Sequence, residues 1–216
     1  MKQYRCEAKT VEGFIQQVAV SYLTRGYWFY VTGRVPDRKD PSEVDAKLAA
    51  KYGINASKKD RARRKLSGLA NMQYIRHGRF FLLLATHGQH PFFEEEEGQF
   101  RDARHVAIKY AGYAISHRNG RTCVRIERNE YKRLKAWLVD LACRRSAEKL
   151  EAEFLGLPYV AYAPVRQQIL QVWRAVNRAR KEAGYERLPV ECVRWKRRIV
   201  KPFGEDLPEG REAKAA

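Results

Sequence analysis

Residues 106–127 read VAIKYAGYAISHRNGRTCVRIE, and this stretch decides the class of fold. Val106–His117 and Arg121–Glu127 are strand-like runs, and between them stands Asn119-Gly120. That dipeptide tolerates the two positive φ angles of a type I′ turn, so the run predicts an antiparallel hairpin. After it the pattern turns helical from Asn129, with Tyr131, Leu134, Leu138 and Leu141 on one face. This helical part runs to Gly156 with a break near Arg144–Ser146. A proline-bounded link, Pro158 to Pro164, leads into a last helix over Val165–Ala183. Ile169, Trp173 and Val176 would face inward there, and Arg166, Arg174, Arg178 and Lys181 outward.

Before the hairpin, Met72–Arg76 and Phe80–Thr86 read as strands around a His77-Gly78 turn. Asp40-Pro41-Ser42-Glu43 combines an N-cap, an N1 proline and an acidic N3, starting a helix that Gly53 closes. Ser57 with Asp60 starts another, which stops near Gly68. Residues 2–9 read as a short strand, Thr10 caps a helix ending at Gly26, and Tyr27–Arg34 forms a buried strand. This β-α-β opening predicts parallel strands joined by a right-handed crossover. The whole is an α+β arrangement, with one mixed sheet of about five or six strands and helices packed on one face. Residues 1–128 would form the α+β domain, and 129–203 a helical, basic C-terminal part of the same compact unit. The Gly/Pro/Glu-rich residues 204–216 would form a disordered tail.

Among 216 residues, 43 Lys and Arg oppose 25 Asp and Glu, a net charge of +18. Hydrophobic residues at 44% are enough for a packed core and exclude wholesale disorder. Apolar runs such as Phe80–Ala85 fall far short of the ~18 residues that span a bilayer. Residues 1–25 show no apolar core of a signal peptide. Cys6, Cys123, Cys143 and Cys192 lie far apart with no CxxC pair, which predicts reduced thiols in a cytoplasmic protein rather than a disulfide framework or zinc ribbon. No P-loop, GxSxG, HExxH or GxGxxG occurs.

The charge is concentrated in three places. Lys58, Lys59, Arg61, Arg63, Arg64 and Lys65 are six cations in eight residues. Arg174, Arg178 and Lys181 continue the outer face of the last helix. Arg194, Trp195, Lys196, Arg197 and Arg198 belong to the run RWKRRIVK. Cations this dense repel one another unless a polyanion gathers them, and nucleic-acid phosphate does so by releasing counterions. The plain alternative is a solvated, solubilising surface. Aromatic residues among the cations (Tyr27-Trp28-Phe29-Tyr30, Tyr110, Tyr113, Trp195) favour single-stranded or structured DNA or RNA, since a ring can stack a base while a cation holds its phosphate. For Phe29, Tyr131 and Trp173 core packing is the simpler role.

Two further features suggest chemistry. His87 and His90 end the most hydrophobic strand and could share a divalent metal, Mg²⁺ or Mn²⁺, with a carboxylate from Glu94–Glu97. Tyr131 and Lys135 lie one helical turn apart, so an ammonium could activate a phenol for attack on a phosphodiester. Loop histidines and a core tyrosine are the plain alternatives. Over residues 27–136 this order resembles the HUH endonucleases, the rolling-circle replication initiators, relaxases and single-tyrosine transposases. The resemblance sets Trp28–Arg34 against their first motif, His87 and His90 against their metal pair, and Tyr131 with Lys135 against their third. It implies a metal-dependent nicking or strand-transfer enzyme. Two residues, Gly88 and Gln89, separate the histidines where that family has one, so only a turn at Gly88 would bring both to one metal. The competing expectation is a non-catalytic subunit that holds nucleic acid in a mobile-element, plasmid or ribonucleoprotein complex.

Overall fold

In a computed structural model, which describes residues 4–204, the chain separates after Asp102 into two units. The first holds residues 4–102 with 199–204, and the second residues 103–198. The hairpin of Asn119-Gly120 therefore belongs with the C-terminal helices. The expected tail beyond residue 204 lies outside the described residues.

In the first unit, Thr10 caps α1 (Val11–Gln16) by accepting the Gly13 N–H at 3.0 Å. The helix widens into a π-helical stretch, Gln17–Tyr22, tightens into a 3-10 turn, Leu23–Arg25, and ends at Gly26 with φ +90°. β1 (Phe29–Arg34), α2 (Pro41–Lys51), α3 (Lys58–Leu66), β2 (Met72–His77) and β3 (Phe80–Ala85) follow. A short α4 (Phe92–Glu95) and β4 (Arg101–Asp102) complete it. The sheet order is β2-β3-β1-β4, antiparallel throughout. The expected parallel opening does not form. The segment before α1 meets β2 in one isolated bridge, Glu7↔Arg76. β3, sequence FFLLLA, is the most apolar strand, and flanking it with β1 and β2 covers both of its edges.

Strand alternation gives the sheet two apolar faces. Met72, Tyr74, Leu83 and Ala85 pack with Tyr52, Ile54 and Phe92, with Phe29 and Val31 beside them. On the opposite face Tyr30, Ile75, Leu82 and Leu84 are buried, and the ring of Phe14 from α1 lies 5.8 Å from Phe80. α2 buries no residue fully. It is tied to β2 by Asp45, which takes Arg76 Nε on Oδ1 and Arg76 Nη2 on Oδ2, each at 3.0 Å. Asp45 also accepts from the Tyr74 hydroxyl at 2.6 Å and the Cys6 thiol at 3.3 Å. Burial first, and the Asp45 carboxylate second, push the Cys6 thiol up to about 12.

The second unit holds β5 (Ile108–Tyr110), β6 (Tyr113–Arg118), β7 (Arg121–Ile126), α5 (Arg128–Leu141), α6 (Ala147–Gly156) and α7 (Ala163–Glu182). The predicted hairpin is present, with Arg118 opposite Arg121 and φ +50° and +73° at Asn119 and Gly120. A second two-residue turn, Ala111-Gly112 at φ +46° and +78°, breaks the expected long strand into β5 and β6. The α+β class stands, but the strands form two antiparallel sheets of four and three rather than one mixed sheet. Two-residue turns account for three of these pairings, since they join β2 to β3, β5 to β6 and β6 to β7 antiparallel. α7 packs on α5 and β7. Gln168 extends the β7 ladder by accepting the Ile126 N–H at 2.8 Å and donating to its carbonyl at 3.1 Å. Among the described residues, no helix is long and apolar enough to cross a membrane, and all four cysteines are free thiols.

Candidate nucleic-acid interface

Sheet register puts the start of β1, the start of β2 and the end of β3 at one end of the first unit's sheet, since Phe29 and Met72 both pair with Ala85. The residues just outside the paired strands, Trp28, Asn71 and Thr86, meet there. They line a cleft of about 950 Å³. Arg25 and Gly26 border it from the end of the first helix, and α3 supplies Lys58, Arg61 and Lys65. Ser21, Tyr27, Gln73 and His87 add further polar lining. Among the described residues, four cations border this space and no Asp or Glu lines it.

α3 can serve a ligand because packing asks little of it. None of its residues is buried. Ser57 caps it, accepting the Asp60 N–H at 3.1 Å and donating its own hydroxyl to Asp60 Oδ2 at 2.6 Å. Its six cations then divide by role. Arg61 donates to the Ile54 carbonyl at 3.0 Å and Arg64 to that of Gly53 at 3.2 Å, so both close the α2–α3 loop. Arg63 pairs with Asp60 at 3.0 Å. Lys58, Lys59 and Lys65 are exposed, and Lys58 and Lys65 border the cleft.

The cleft floor is built from amide side chains. Gln73, 6% exposed, accepts from the Tyr4 hydroxyl at 2.7 Å and donates to that of Tyr27 at 3.4 Å. Asn71, 5% exposed, donates Nδ2 to the Arg61 carbonyl at 3.0 Å. Its Oδ1 is buried without a hydrogen-bond donor. Such an acceptor costs about 1–3 kcal/mol when nothing replaces the water it lost. Burial pushes the neighbouring Tyr4 and Tyr22 phenols up, so both stay neutral donors. Sequence reading passed over this pair, although amides at 71 and 73 alternate with Met72 and Tyr74 and so share one strand face.

The aromatic run at the start of β1 is split between roles. Trp28 lines the cleft, with Nε1 donating to the Leu23 carbonyl at 3.1 Å. Tyr27 is buried at its edge. Phe29 belongs to an aromatic cluster, 5.3 Å from Phe93, and Tyr30 is buried in the sheet. Tyr113 bridges Pro158 and Val160 through its hydroxyl.

The two histidines have separate surroundings. Gly88 does make the turn, at φ +133°, and a Cβ there would sit 2.6 Å from the Ala70 nitrogen. This close approach brings the loop after β3 against the loop before β2, with Gln89 N–H donating to Gly68 and Ala70 N–H to Gln89. His87 lines the cleft. His90 instead accepts the Phe92 N–H on Nδ1 at 3.1 Å and packs 6.2 Å from the Tyr52 ring. Burial holds its pKa below the ordinary histidine value. Among the described residues, no group of three or more His, Cys, Asp or Glu is placed to hold a metal.

Tyr131 and Lys135 lie on α5, in the second unit. The Tyr131 hydroxyl donates to Gln171 Oε1 at 2.9 Å, and burial raises its pKa, the opposite of activation. The remaining basic residues are also in this unit. Arg174, Arg178 and Lys181 are exposed on α7, with Arg180 buried between them. In the run after it, Arg194 donates to the Leu155 carbonyl, and Arg197 lies 5.0 Å over the Tyr162 ring. Lys196 and Arg198 are exposed, Trp195 is 46% exposed, and the Trp195 carbonyl accepts from Arg166. No protein-family model matches the chain, and no curated protein does.

Proposed function

We propose that this protein binds nucleic acid, holding single-stranded or structured DNA or RNA in the cleft between α3 and the end of the first unit's sheet. The observation that carries the reading is the lining of that cleft: the exposed cations Arg25, Lys58 and Lys65 border it together with Trp28 and His87, and among the described residues no carboxylate does. Phosphates neutralise the cations and an exposed base stacks on a ring, which is the usual economy of single-strand binding. The net charge of +18 favours the same partner and speeds encounter. A role as a non-catalytic subunit of a mobile-element, plasmid or ribonucleoprotein complex in the cytoplasm fits this reading.

The test is fluorescence anisotropy with labelled DNA and RNA oligonucleotides over a salt series. About three neutralised phosphates give a log–log slope near −2 on a single strand. Absence of binding to either polymer, or binding indifferent to salt, overturns the proposal. Incubation of the same oligonucleotides with Mg²⁺ or Mn²⁺ tests for nicking. Intact strands agree with a binder, and a covalent adduct on Tyr131 that survives denaturant would assign the enzyme role instead.

A further inference from the structure

The second unit carries a groove whose chemistry is the reverse of the cleft's. It encloses about 390 Å³ along one face of α5, the end of α6 and the link after it. Glu130, Arg133, Leu134 and Trp137 recur at helical spacing and so share that face of α5. Glu153 of α6 and Tyr159 of the link line the groove as well. Packing leaves its rings open: Trp137 is 45% exposed. The Tyr159 ring is set edge-on to Tyr113, with centroids 5.4 Å apart, which fixes its position. Open aromatic rings of this kind are enriched where proteins meet.

The charges decide what fits. Arg133 is taken by Glu130, one turn back on the same helix. Glu153 is partly exposed and, among the described residues, has neither a hydrogen bond nor an ion pair. The groove therefore offers one uncommitted carboxylate together with an open indole, on a chain whose net charge is +18. Phosphate finds no free cation there, and a cationic side chain finds its complement. Arginine answers both features, because its planar guanidinium stacks on an indole and pairs with a carboxylate through two N–H groups. The volume lies near the low end of the ~300–1,000 Å³ range of ligand pockets, which suits a few side chains of an extended segment. We propose that this groove docks a segment of a partner protein, which sets an arginine against Trp137 and Glu153 and an apolar neighbour against Leu134. The cleft lies in the first unit, so nucleic-acid binding and this docking can fail separately.

The test starts from random heptapeptides displayed on phage. They are selected on the wild-type protein and counter-selected on the double variant Trp137→Ser, Glu153→Gln. Recovered peptides are then measured by isothermal titration, each beside a copy in which citrulline replaces arginine. Citrulline keeps the shape of arginine and loses its charge. The expected result is arginine next to an apolar residue in the recovered peptides, with about tenfold weaker binding of the citrulline copy. On Glu153→Gln alone, the two copies should bind alike. If the double variant does not fold, Glu153→Gln serves as the counter-selecting protein, since it removes a charge from a partly exposed side chain and keeps its size. Recovered peptides without arginine, no peptide that distinguishes the wild type from the variant, or equal affinity of the citrulline copies would overturn the proposal. Self-association of the wild type that Glu153→Gln abolishes would give the groove to a second copy of the chain, and would overturn it too.

Discussion

α3 and α7 are both rich in Lys and Arg, yet the two helices use those side chains differently. α7 runs twenty residues with Val165, Ile169, Val172 and Val176 buried along one stripe, so packing holds it whatever its outer face does. α3 runs nine residues with none buried, and depends on its Ser57 cap and on two arginines that reach neighbouring carbonyls. The buried cation of α7 shows the contrast at one residue. Arg180, 3% exposed, donates to the carbonyls of Ala142, Arg145 and Glu186, and so ties the end of α5 and the turn after α7 to one guanidinium. Charge density is therefore no measure of function. What matters is whether a cation has already been given a partner by its own chain.

The largest effect expected from this comparison is at Arg180. Arg180→Met leaves three carbonyls without a donor and should cost about 3 kcal/mol or more in urea unfolding, with nucleic-acid affinity per folded molecule unchanged. The converse belongs to α3. Lys58→Ala with Lys65→Ala should weaken oligonucleotide binding on the order of tenfold at low salt and flatten the salt slope by about 1.4, with thermal stability preserved. Arg174→Ala with Arg178→Ala on α7 is the matched control, and should change binding by less than about threefold. A finer division lies within α3: Arg64→Ala, one residue from Lys65, loses its bond to Gly53 and should cost about 1 kcal/mol of stability. Equal behaviour of Arg64 and Lys65 in both assays would break the distinction between committed and available cations.

The smallest effect is a pH dependence. Burial lowers the His90 pKa in the folded protein, and the neutral ring accepts the Phe92 N–H. A base whose folded pKa is depressed contributes its stability in full above the unfolded value, near 6.5 for histidine, and loses it as pH falls through the lower folded value. Unfolding followed from pH 7 to pH 5 should show the wild type losing stability, and His90→Asn should retain more of its pH 7 stability over that interval. His77, lowered by the same cause, keeps part of the slope in both proteins.

Local chemistry was legible in the sequence, and long-range pairing was not. Thr10, Ser57, Asp40 and Asn119-Gly120 all do what their residue types dictate, because a cap or a tight turn is decided within four residues. The Ala111-Gly112 turn carries no clear sequence signal, because alanine is a poor candidate for φ +46°. The pairing of β1 with β3 rather than with the N-terminal segment depends on competition among distant strands, which spacing does not encode. The basic segment of α3 was visible in the composition. That Arg61 and Arg64 would be spent on the α2–α3 loop depends on where Ile54 and Gly53 present their carbonyls, which only the folded chain decides. His87 and His90 are close in sequence, yet the turn at Gly88 gives them separate environments.

If nucleic acid lies in the cleft of the first unit, photocrosslinking will place it there. A single strand containing 5-iodocytosine is irradiated in complex with the wild-type protein, and the adducts are mapped by mass spectrometry. Adducts on Tyr27, Trp28 or His87, abolished by unlabelled competitor strand and reduced in the Lys58→Ala, Lys65→Ala protein, are the predicted result. Saturable binding with adducts confined to residues 166–198 of the second unit would contradict it.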